Sequence, residues 1–333
     1  MKQIIIILIL ATFTFQVSGQ KLRPETTELV QKIEKYNELD SEHVGISGVT
    51  TDQYRNFERL RDNASTDELI KLLKHKNSIV KGYASWALVD NMYPKLADIL
   101  TEFLRTGETA TTQHGCIVGE NDLATEFYSR VFYQHFHNKL SLNDSLFFQS
   151  QIQQLDSVIL YGAKDGFLLY LVLSHNNGNL KNYDRIRHLA FNAKNSSAIQ
   201  ALGVYQRKED IDDFKKLKEK AFICIPVFPD NDFWEFLLSF KEDNQSRSYL
   251  MALSAFRTEE SAKVLLEILP KMKAGNIKDL SEAITQNYCA YYQDLILAIW
   301  EQHKIIDIRT TTQIIKDIPE KAAKSFSIGL LSN

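Results

Sequence analysis

The chain has 333 residues, enough for one elongated domain or two compact ones. At 44% apolar and 24% charged residues it has the composition of a globular protein, which argues against wholesale disorder. Its formal net charge of −3 argues against the basic face of a nucleic-acid-binding protein and against a polybasic membrane contact. Glycine (13) and proline (6) are scarce, and this favours helices over a many-stranded β fold.

The first 19 residues have the pattern of a secretory signal peptide. Lys2 is followed by an apolar run at 4–15, and Val17 and Gly19 stand three and one residues before a cleavage point at Gln20. We therefore expect export to the periplasm or the cell exterior. An uncleaved anchor is the alternative, but such a run spans only about 18 Å of a ~30 Å hydrocarbon layer. The rest of the chain has no stretch of about 18 apolar residues, so we expect no membrane span after cleavage.

Apolar residues with helical spacing follow the signal peptide and predict an all-α protein. We expect N-terminal repeats at 20–175, a joint at 176–179 and degenerate C-terminal repeats at 180–333. Before the joint, the predicted helices cover 25–39 and 52–61, open at Ser65 and at Asn77, include Pro94 in a first turn, and then cover 122–138, 144–160 and 167–174. After it they cover 182–192, 196–206, 209–220, 231–242, 246–257, 259–273, 278–288 and 291–303, with a further pair from about 310.

Three segments break or modify this pattern. Residues 41–50 are polar and contain two glycines, which predicts a turn. Residues 106–121 form a polar insertion that we expect to project from one rim of the helical stack, where such proteins carry function. The segment 167–174, FLLYLVLS, predicts a central helix buried on most sides, with a short strand as the alternative.

A helix-pair pattern recurs at 77–104, 195–219 and 245–269. Each copy contains an Ala-Leu pair, at 87–88, 201–202 and 252–253, and each starts a second apolar helix eight or nine residues later. Helix pairs of this kind bury their apolar faces against the next pair in a stack. The unequal intervals between copies predict an irregular solenoid.

Residues 65–104 resemble a HEAT-like repeat. The resemblance rests on Leu69, Leu72 and Leu73 in the first helix, on the turn and helix start at 77–81, and on Ala84 with Ala87-Leu88 in the second helix. Lys81 stands where HEAT units commonly carry Arg, and the two later copies lack a basic residue there. Residues 44–60, together with this repeat and Gly115-Cys116-Ile117, resemble a group of exported bacterial-type HEAT-like proteins of unassigned function. The resemblance implies a right-handed α-α superhelix that binds other proteins, and it transfers no catalytic residues.

The three cysteines are Cys116, Cys224 and Cys289. Export permits disulfides, but an odd and small number favours buried free thiols that pack as small apolar residues. One disulfide is the alternative, and the sequence leaves its pairing open.

The common catalytic patterns are absent from the sequence: it contains no phosphate-binding loop, dinucleotide-binding turn, nucleophile elbow or zinc helix. Four residues of metal-ligating types do occur close together, His114, Cys116, His135 and His137, and zinc takes such residues in tetrahedral sets. Against a site, His135 and His137 are two residues apart and would point in opposite directions on one helix unless the helix ends there. A surface or capping set of histidines beside a buried cysteine is the alternative.

These observations predict a non-enzymatic exported scaffold that holds a protein or peptide partner and needs no cofactor. The alternative is a metal-binding or enzymatic protein whose site is built from residues 106–137. The two are distinguished by where the side chains of His114, Cys116, His135 and His137 lie.

Overall fold

A computed structural model describes residues 21–137, 139–163 and 166–303. The predicted signal peptide and the predicted helix pair from about residue 310 lie outside these residues. The described chain is mostly helical, as expected, and it also contains a small three-stranded sheet. The chain divides into two compact units, with the boundary between Leu155 and Asp156. None of the helices within the described ranges has the length and apolarity needed to cross a bilayer.

The first unit contains helices and all three strands. Its helices are α1 (Pro24–Tyr36), α2 (Asp52–Asn63), α3 (Thr66–Leu72), α4 (Ser78–Asp90), α5 (Leu96–Thr106), α6 (Leu123–His137) and the first part of α7 (Leu142–Gly162). Its strands are β1 (Leu39–Val44), β2 (Thr109–Gly115) and β3 (Ile117–Asp122). The sheet has the order β1-β2-β3, with β1 parallel to β2 and β2 antiparallel to β3.

The centre of the first unit is α4, which contacts α1, α2, α3, α5, α6 and the first two strands. Ten of its 13 residues are buried, so it has no polar face of the kind that surface helices show. Tyr83 joins α4 to strand β1, because its hydroxyl accepts a hydrogen bond from the backbone N–H of Asp40 at 2.8 Å. Phe57 of α2 stacks on the Tyr83 ring with centroids 5.0 Å apart. Helix α4 therefore positions both the surrounding helices and strand β1.

The strands correct two predictions. The predicted turn at 41–50 begins as strand β1, and most of the predicted insertion at 106–121 forms the β2–β3 hairpin. The predicted helix at 25–39 ends at Tyr36, because Asn37 adopts a left-handed conformation (φ 58°), and Leu39 is buried in β1 instead of on a helical stripe. The pairing of β1 with β2 joins segments about 70 residues apart, so it cannot be predicted from the local periodicity of either segment.

Three two-helix segments repeat the same local design. Asn77, Asn195 and Ser246 each cap a helix by accepting from the backbone N–H three residues later. Each helix contains its predicted Ala-Leu pair, and all six of those residues are buried. Five residues after each alanine the chain turns at a non-glycine residue with positive φ, namely Met92, Gln206 and Arg257. The predicted recurrence is therefore present in local geometry as well as in residue type.

The second unit contains the remaining helices, with several short 3-10 turns between them. They are the end of α7, α8 (Phe167–Ser174), α9 (Tyr183–Phe191), α10 (Ser196–Gly203), α11 (Ile211–Lys216), α12 (Trp234–Leu238), α13 (Arg247–Ser254), α14 (Glu259–Ile268), α15 (Ala274–Gln286) and α16 (Gln293–His303). Elements close in sequence pack together: α10 contacts α8 and α9, while α13 contacts α14 and α15. The turn at 176–179 lies inside this unit.

Segment 167–174 is helical, which excludes the strand alternative, but it is less buried than predicted. Leu168, Leu169, Val172 and Leu173 are buried, whereas Phe167 and Tyr170 are more than half exposed. The helix is only eight residues long and is covered along one face. The apolar composition of this segment therefore predicted more burial than the helix has.

Candidate functional site

A cavity of about 290 Å³ lies in the first unit, between the sheet and the helices α4 and α6. We call it the sheet cavity. Its wall is more apolar than polar, which is typical of sites that bind a ligand or a partner's side chain. The lining residues are Ser41, Glu42 and His43 of β1, His114 of β2, Trp86 of α4, and Glu126, Ser129, Arg130 and Tyr133 of α6.

A bulge in β1 forms one side of the sheet cavity. Asp40 pairs with Gln113 and Val44 pairs with Gly115, so three residues of β1 stand opposite one residue of β2, His114. Those three residues, 41–43, are the part of β1 that lines the cavity. Bulges of this kind redirect side chains and interrupt the ladder, and they are common beside functional sites.

His114 and Glu126 form the polar centre of the cavity. The Nε2 of His114 lies 3.0 Å from each carboxylate oxygen of Glu126. Asn121 donates from Nδ2 to Oε1 of Glu126 at 2.9 Å and to the Thr112 hydroxyl at 3.0 Å. Glu126 is 3% exposed, while the His114 side chain is 44% exposed. A buried, oriented carboxylate therefore holds a half-exposed imidazole at the cavity wall.

The start of α6 is fixed so that Glu126 faces the sheet. Asp122 caps the helix by accepting from the backbone N–H of Thr125 at 2.7 Å, and its other oxygen accepts from the Thr125 hydroxyl. Glu126 then falls in the first turn, where a negative charge is favourable to the helix dipole. The Trp86 indole donates to the Glu126 carbonyl at 3.2 Å, which ties α4 to α6 behind the cavity.

Arg130 provides the second charged group of the wall. Its guanidinium makes a two-pronged contact with Asp90 at the end of α4, with Nε 2.8 Å from Oδ1 and Nη2 bonded to Oδ2. The same group lies over the rings of Trp86 and Tyr133, at 5.3 and 5.7 Å from their centroids. The arginine therefore orders two aromatic rings that a ligand would meet.

The environment of His114 favours its protonated form. The hydrogen bond to Glu126, followed by the charge of that carboxylate, raises the pKa of His114, although burial acts in the opposite direction. Because Nε2 bonds the carboxylate, Nδ1 is the ring nitrogen that Glu126 does not engage. Depending on pH, the site can thus donate or accept one hydrogen bond at that atom.

The four predicted metal-ligand residues do not form one cluster in the described part of the chain. His114 pairs with Glu126, and Cys116 is exposed at the turn of the β2–β3 hairpin. His135 lies near the end of α6 with its Nδ1 buried and unpaired, while its ring packs edge-on against Phe136. The side chain of His137 lies outside the described part of the chain. Among the described side chains, no three of His, Cys, Asp or Glu are placed to hold a metal ion.

The cysteines are free, and only Cys224 is fully buried. Its thiol donates to the carbonyl of Ala221 at 3.1 Å, and burial raises its pKa, so it packs as the predicted small apolar residue. Cys289 is partly exposed and Cys116 is exposed, which corrects the expectation of burial for Cys116.

Sequence reasoning found the region of the site and missed most of its residues. The predicted region 106–137 does contain His114, Glu126, Arg130 and Tyr133. On α6, the last three are four and three residues apart, which places them on one helical face. The only two charged residues of α6, Glu126 and Arg130, share one helical face with a tyrosine, which is a signal that the sequence offered. The contributions of Trp86 and the β1 bulge had no such signal, because Trp86 depends on the packing of α4 against α6 and the bulge depends on a non-local strand pairing.

Comparisons with known proteins do not identify the chain: no protein-family model and no curated protein sequence matches it.

Proposed function

We propose that the protein is an exported, non-enzymatic scaffold that binds a protein or peptide partner, and that one side chain of the partner enters the sheet cavity. The observation that carries this proposal is the cavity itself: a mostly apolar wall with a small number of oriented polar groups. Those groups belong to four separate elements, β1, β2, α4 and α6. The Asp122 cap, the Arg130–Asp90 ion pair and the pairing of β1 with β2 fix these elements relative to one another.

The volume favours a side chain over a large cofactor. At about 290 Å³ the cavity lies at the lower end of the roughly 300–1,000 Å³ common for small-molecule sites. Such a space accepts one large side chain. The rings of Trp86 and Tyr133 offer apolar contact, and His114 offers one hydrogen bond at the wall. Aromatic and arginine residues of this kind are enriched among the residues that dominate binding at protein interfaces.

The wider proposal places this site on a HEAT-like, right-handed α-α superhelix in the periplasm or outside the cell. Three capped helix pairs with the same Ala-Leu pair and the same positive-φ turn support the repeat part. The apolar run behind Lys2 and the small residues before Gln20 support export.

The test is a selection of displayed random peptides of about 12 residues, which span roughly 40 Å when extended. Purified protein serves as bait, and binding of the selected peptides is measured by Trp fluorescence and calorimetry. The decisive variant is Ser129→Trp, which fills the cavity from an exposed position on α6. Its matched control is Ser150→Trp, the same change at an exposed position on α7.

We expect Ser129→Trp to weaken binding and Ser150→Trp to leave it unchanged. Burial of one apolar side chain contributes about 1.5–3 kcal/mol, which corresponds to a loss of roughly 10- to 100-fold. If no selected peptide distinguishes the two variants, the cavity is not the binding site and the proposal is wrong.

A second candidate function rests on one observation, the His114–Glu126 pair. An imidazole oriented by a buried carboxylate is a common arrangement for acid–base catalysis. This enzymatic alternative predicts turnover of chromogenic ester or amide substrates that His114→Ala abolishes. The metal-binding alternative predicts zinc in the purified protein and a lower melting temperature after chelation. Absence of both turnover and bound zinc would leave the proposal of a binding scaffold standing.

A further inference from the structure

An exposed apolar cluster lies beside the sheet cavity, at the end of the sheet. The turn after β1 carries Ile46 and Val49, which are 98% and 56% exposed. The β2–β3 hairpin carries Ile117 and Val118, which are 75% and 58% exposed. We call these four residues the apolar tip. Large apolar side chains are rarely this exposed in a group, and such groups commonly mark interaction surfaces.

Backbone contacts hold the two halves of the apolar tip together. Val44 pairs with Gly115 in the sheet, and the N–H of Gly45 donates to the Gly115 carbonyl at 2.7 Å. The turn is closed by mutual hydrogen bonds of 3.0 Å between Val44 and Val49. The four side chains therefore share one edge of the fold.

The apolar tip continues directly from the cavity. His43 and His114 line the cavity, and each stands three residues before a residue of the tip, Ile46 and Ile117. Three residues of extended chain span at most about 10 Å. A partner segment with one side chain in the cavity therefore reaches the tip with a side chain about three or four residues away.

The charge around the tip indicates what flanks the apolar residues of the partner. Residues 41–50 and 111–120 carry Glu42 and Glu120 and contain no Lys or Arg. Glu120 is exposed, and the Glu42 side chain is 47% exposed. Two exposed carboxylates near an apolar cluster are complementary to a segment that combines apolar and basic residues.

We propose that the apolar tip is a second docking point for the same partner segment: an extended peptide with one large side chain for the cavity, an apolar side chain three or four residues away for the tip, and Lys or Arg beside it. This inference rests on the proposed function of the cavity. It adds a spacing and a charge preference that the cavity alone does not require.

The experiment uses peptides selected on the wild-type protein and measures their affinity for two double variants. Ile46→Ser with Ile117→Ser removes the centre of the tip, and both side chains are exposed, so we expect the fold to survive. Leu142→Ser with Leu146→Ser is the matched control, because these α7 residues are also exposed, at 76% and 54%. Circular dichroism and melting of each variant check the fold.

We expect the tip variant to weaken peptide binding by about tenfold or more and the control to leave it unchanged. We also expect the selected peptides to carry two large apolar residues three or four positions apart with Lys or Arg nearby. Peptides that need the cavity but bind the tip variant as tightly as wild type would overturn this inference and leave the proposed function standing. Failure of Ser129→Trp to weaken binding would overturn the proposed function instead.

Two other occupants of the tip give distinct results. If the tip joins two copies of this chain, sedimentation shows a dimer that Ile46→Ser with Ile117→Ser dissociates. If it enters a lipid surface, the wild-type protein co-sediments with phosphatidylcholine vesicles and the tip variant does not. Either result overturns the inference.

Discussion

The Nε2 of His114 lies 3.0 Å from both carboxylate oxygens of Glu126, and this contact joins the second strand to the sixth helix. Glu126 is buried, whereas the imidazole is half-exposed. The pair therefore joins the hairpin to α6 at the wall of the sheet cavity.

The pair predicts a pH-dependent contribution to stability. The pKa of His114 is raised by its bond to Glu126, so the folded protein holds this proton to higher pH than the unfolded chain does. The stabilisation is fully present below the ordinary histidine pKa of about 6.5 and is lost as pH rises through the folded value. We expect His114→Gln to lower the free energy of unfolding by at most about 1 kcal/mol at low pH, since a half-exposed pair is screened by solvent. The effect should shrink toward pH 9 in urea unfolding experiments.

The control for this prediction is the same substitution in a Glu126→Gln background. There the pH dependence of the His114→Gln effect should disappear, because the negative partner is gone. NMR titration of the His114 ring should likewise show a midpoint that falls in Glu126→Gln. A midpoint that is the same in both proteins would contradict the assignment of the raised pKa to this contact.

The ion pair of Arg130 and Asp90 predicts a much larger effect. Both side chains are buried, at 9% and 6% exposed, and Arg61 also lies 3.6 Å from Asp90. Asp90→Asn leaves the Arg130 guanidinium buried without its counter-charge, so we expect the free energy of unfolding to fall by about 3–5 kcal/mol. Asp62→Asn is the matched control, because Asp62 pairs with Arg61 on the surface and should contribute no more than about 1 kcal/mol. Equal losses in chemical denaturation would refute the buried-pair argument.

Most helices were predictable because their signals are local. The helix predicted to open at Ser65 does so, with a capping box between Ser65 and Glu68, and Asn77 caps α4 through its side chain. The helix opened by Asn195 is also confirmed, although it ends at Gly203 rather than near 206. Helix starts depend on a few adjacent residues, and these can be identified from sequence.

The sheet and the cavity could not be predicted in the same way. The spacing of Leu39 in the sequence fits the end of a helical stripe, but in the structure Leu39 pairs with Thr112, far along the chain. Likewise, the sequence groups His114 with three other candidate metal ligands, but its partner in the fold is Glu126. Non-local pairing decides which residues meet, and a single sequence carries no record of it.

The recurring helix caps predict equal energetic roles at three distant positions. In each helix pair a side-chain oxygen satisfies a backbone N–H that would otherwise lack a partner in the first turn. We expect Asn77→Ala, Asn195→Ala and Ser246→Ala each to lower the free energy of unfolding by about 1 kcal/mol. Replacement of Asn195 by Ser should restore most of the loss, since Ser is also a good cap. Thermal and urea unfolding of the single variants measure this, and a cap that tolerates alanine without loss would contradict its assigned role.

Two helical glycines predict opposite responses to alanine. A Cβ at Gly203 would lie 2.8 Å from Cγ2 of Val227 and 3.0 Å from the backbone oxygen of Cys224, so α10 packs on the segment 224–227 more closely than any larger residue permits. Gly203→Ala should therefore destabilise the protein by about 1–3 kcal/mol. At Gly275, in the first turn of α15, a Cβ meets nothing within 4 Å. Gly275→Ala should stabilise the protein by about 0.4–1 kcal/mol, because it restricts the unfolded chain without strain in the folded one. Urea unfolding of the two variants tests both signs together; a stabilising Gly203→Ala would show that α10 has room at this contact and is not closely packed on Val227 and Cys224.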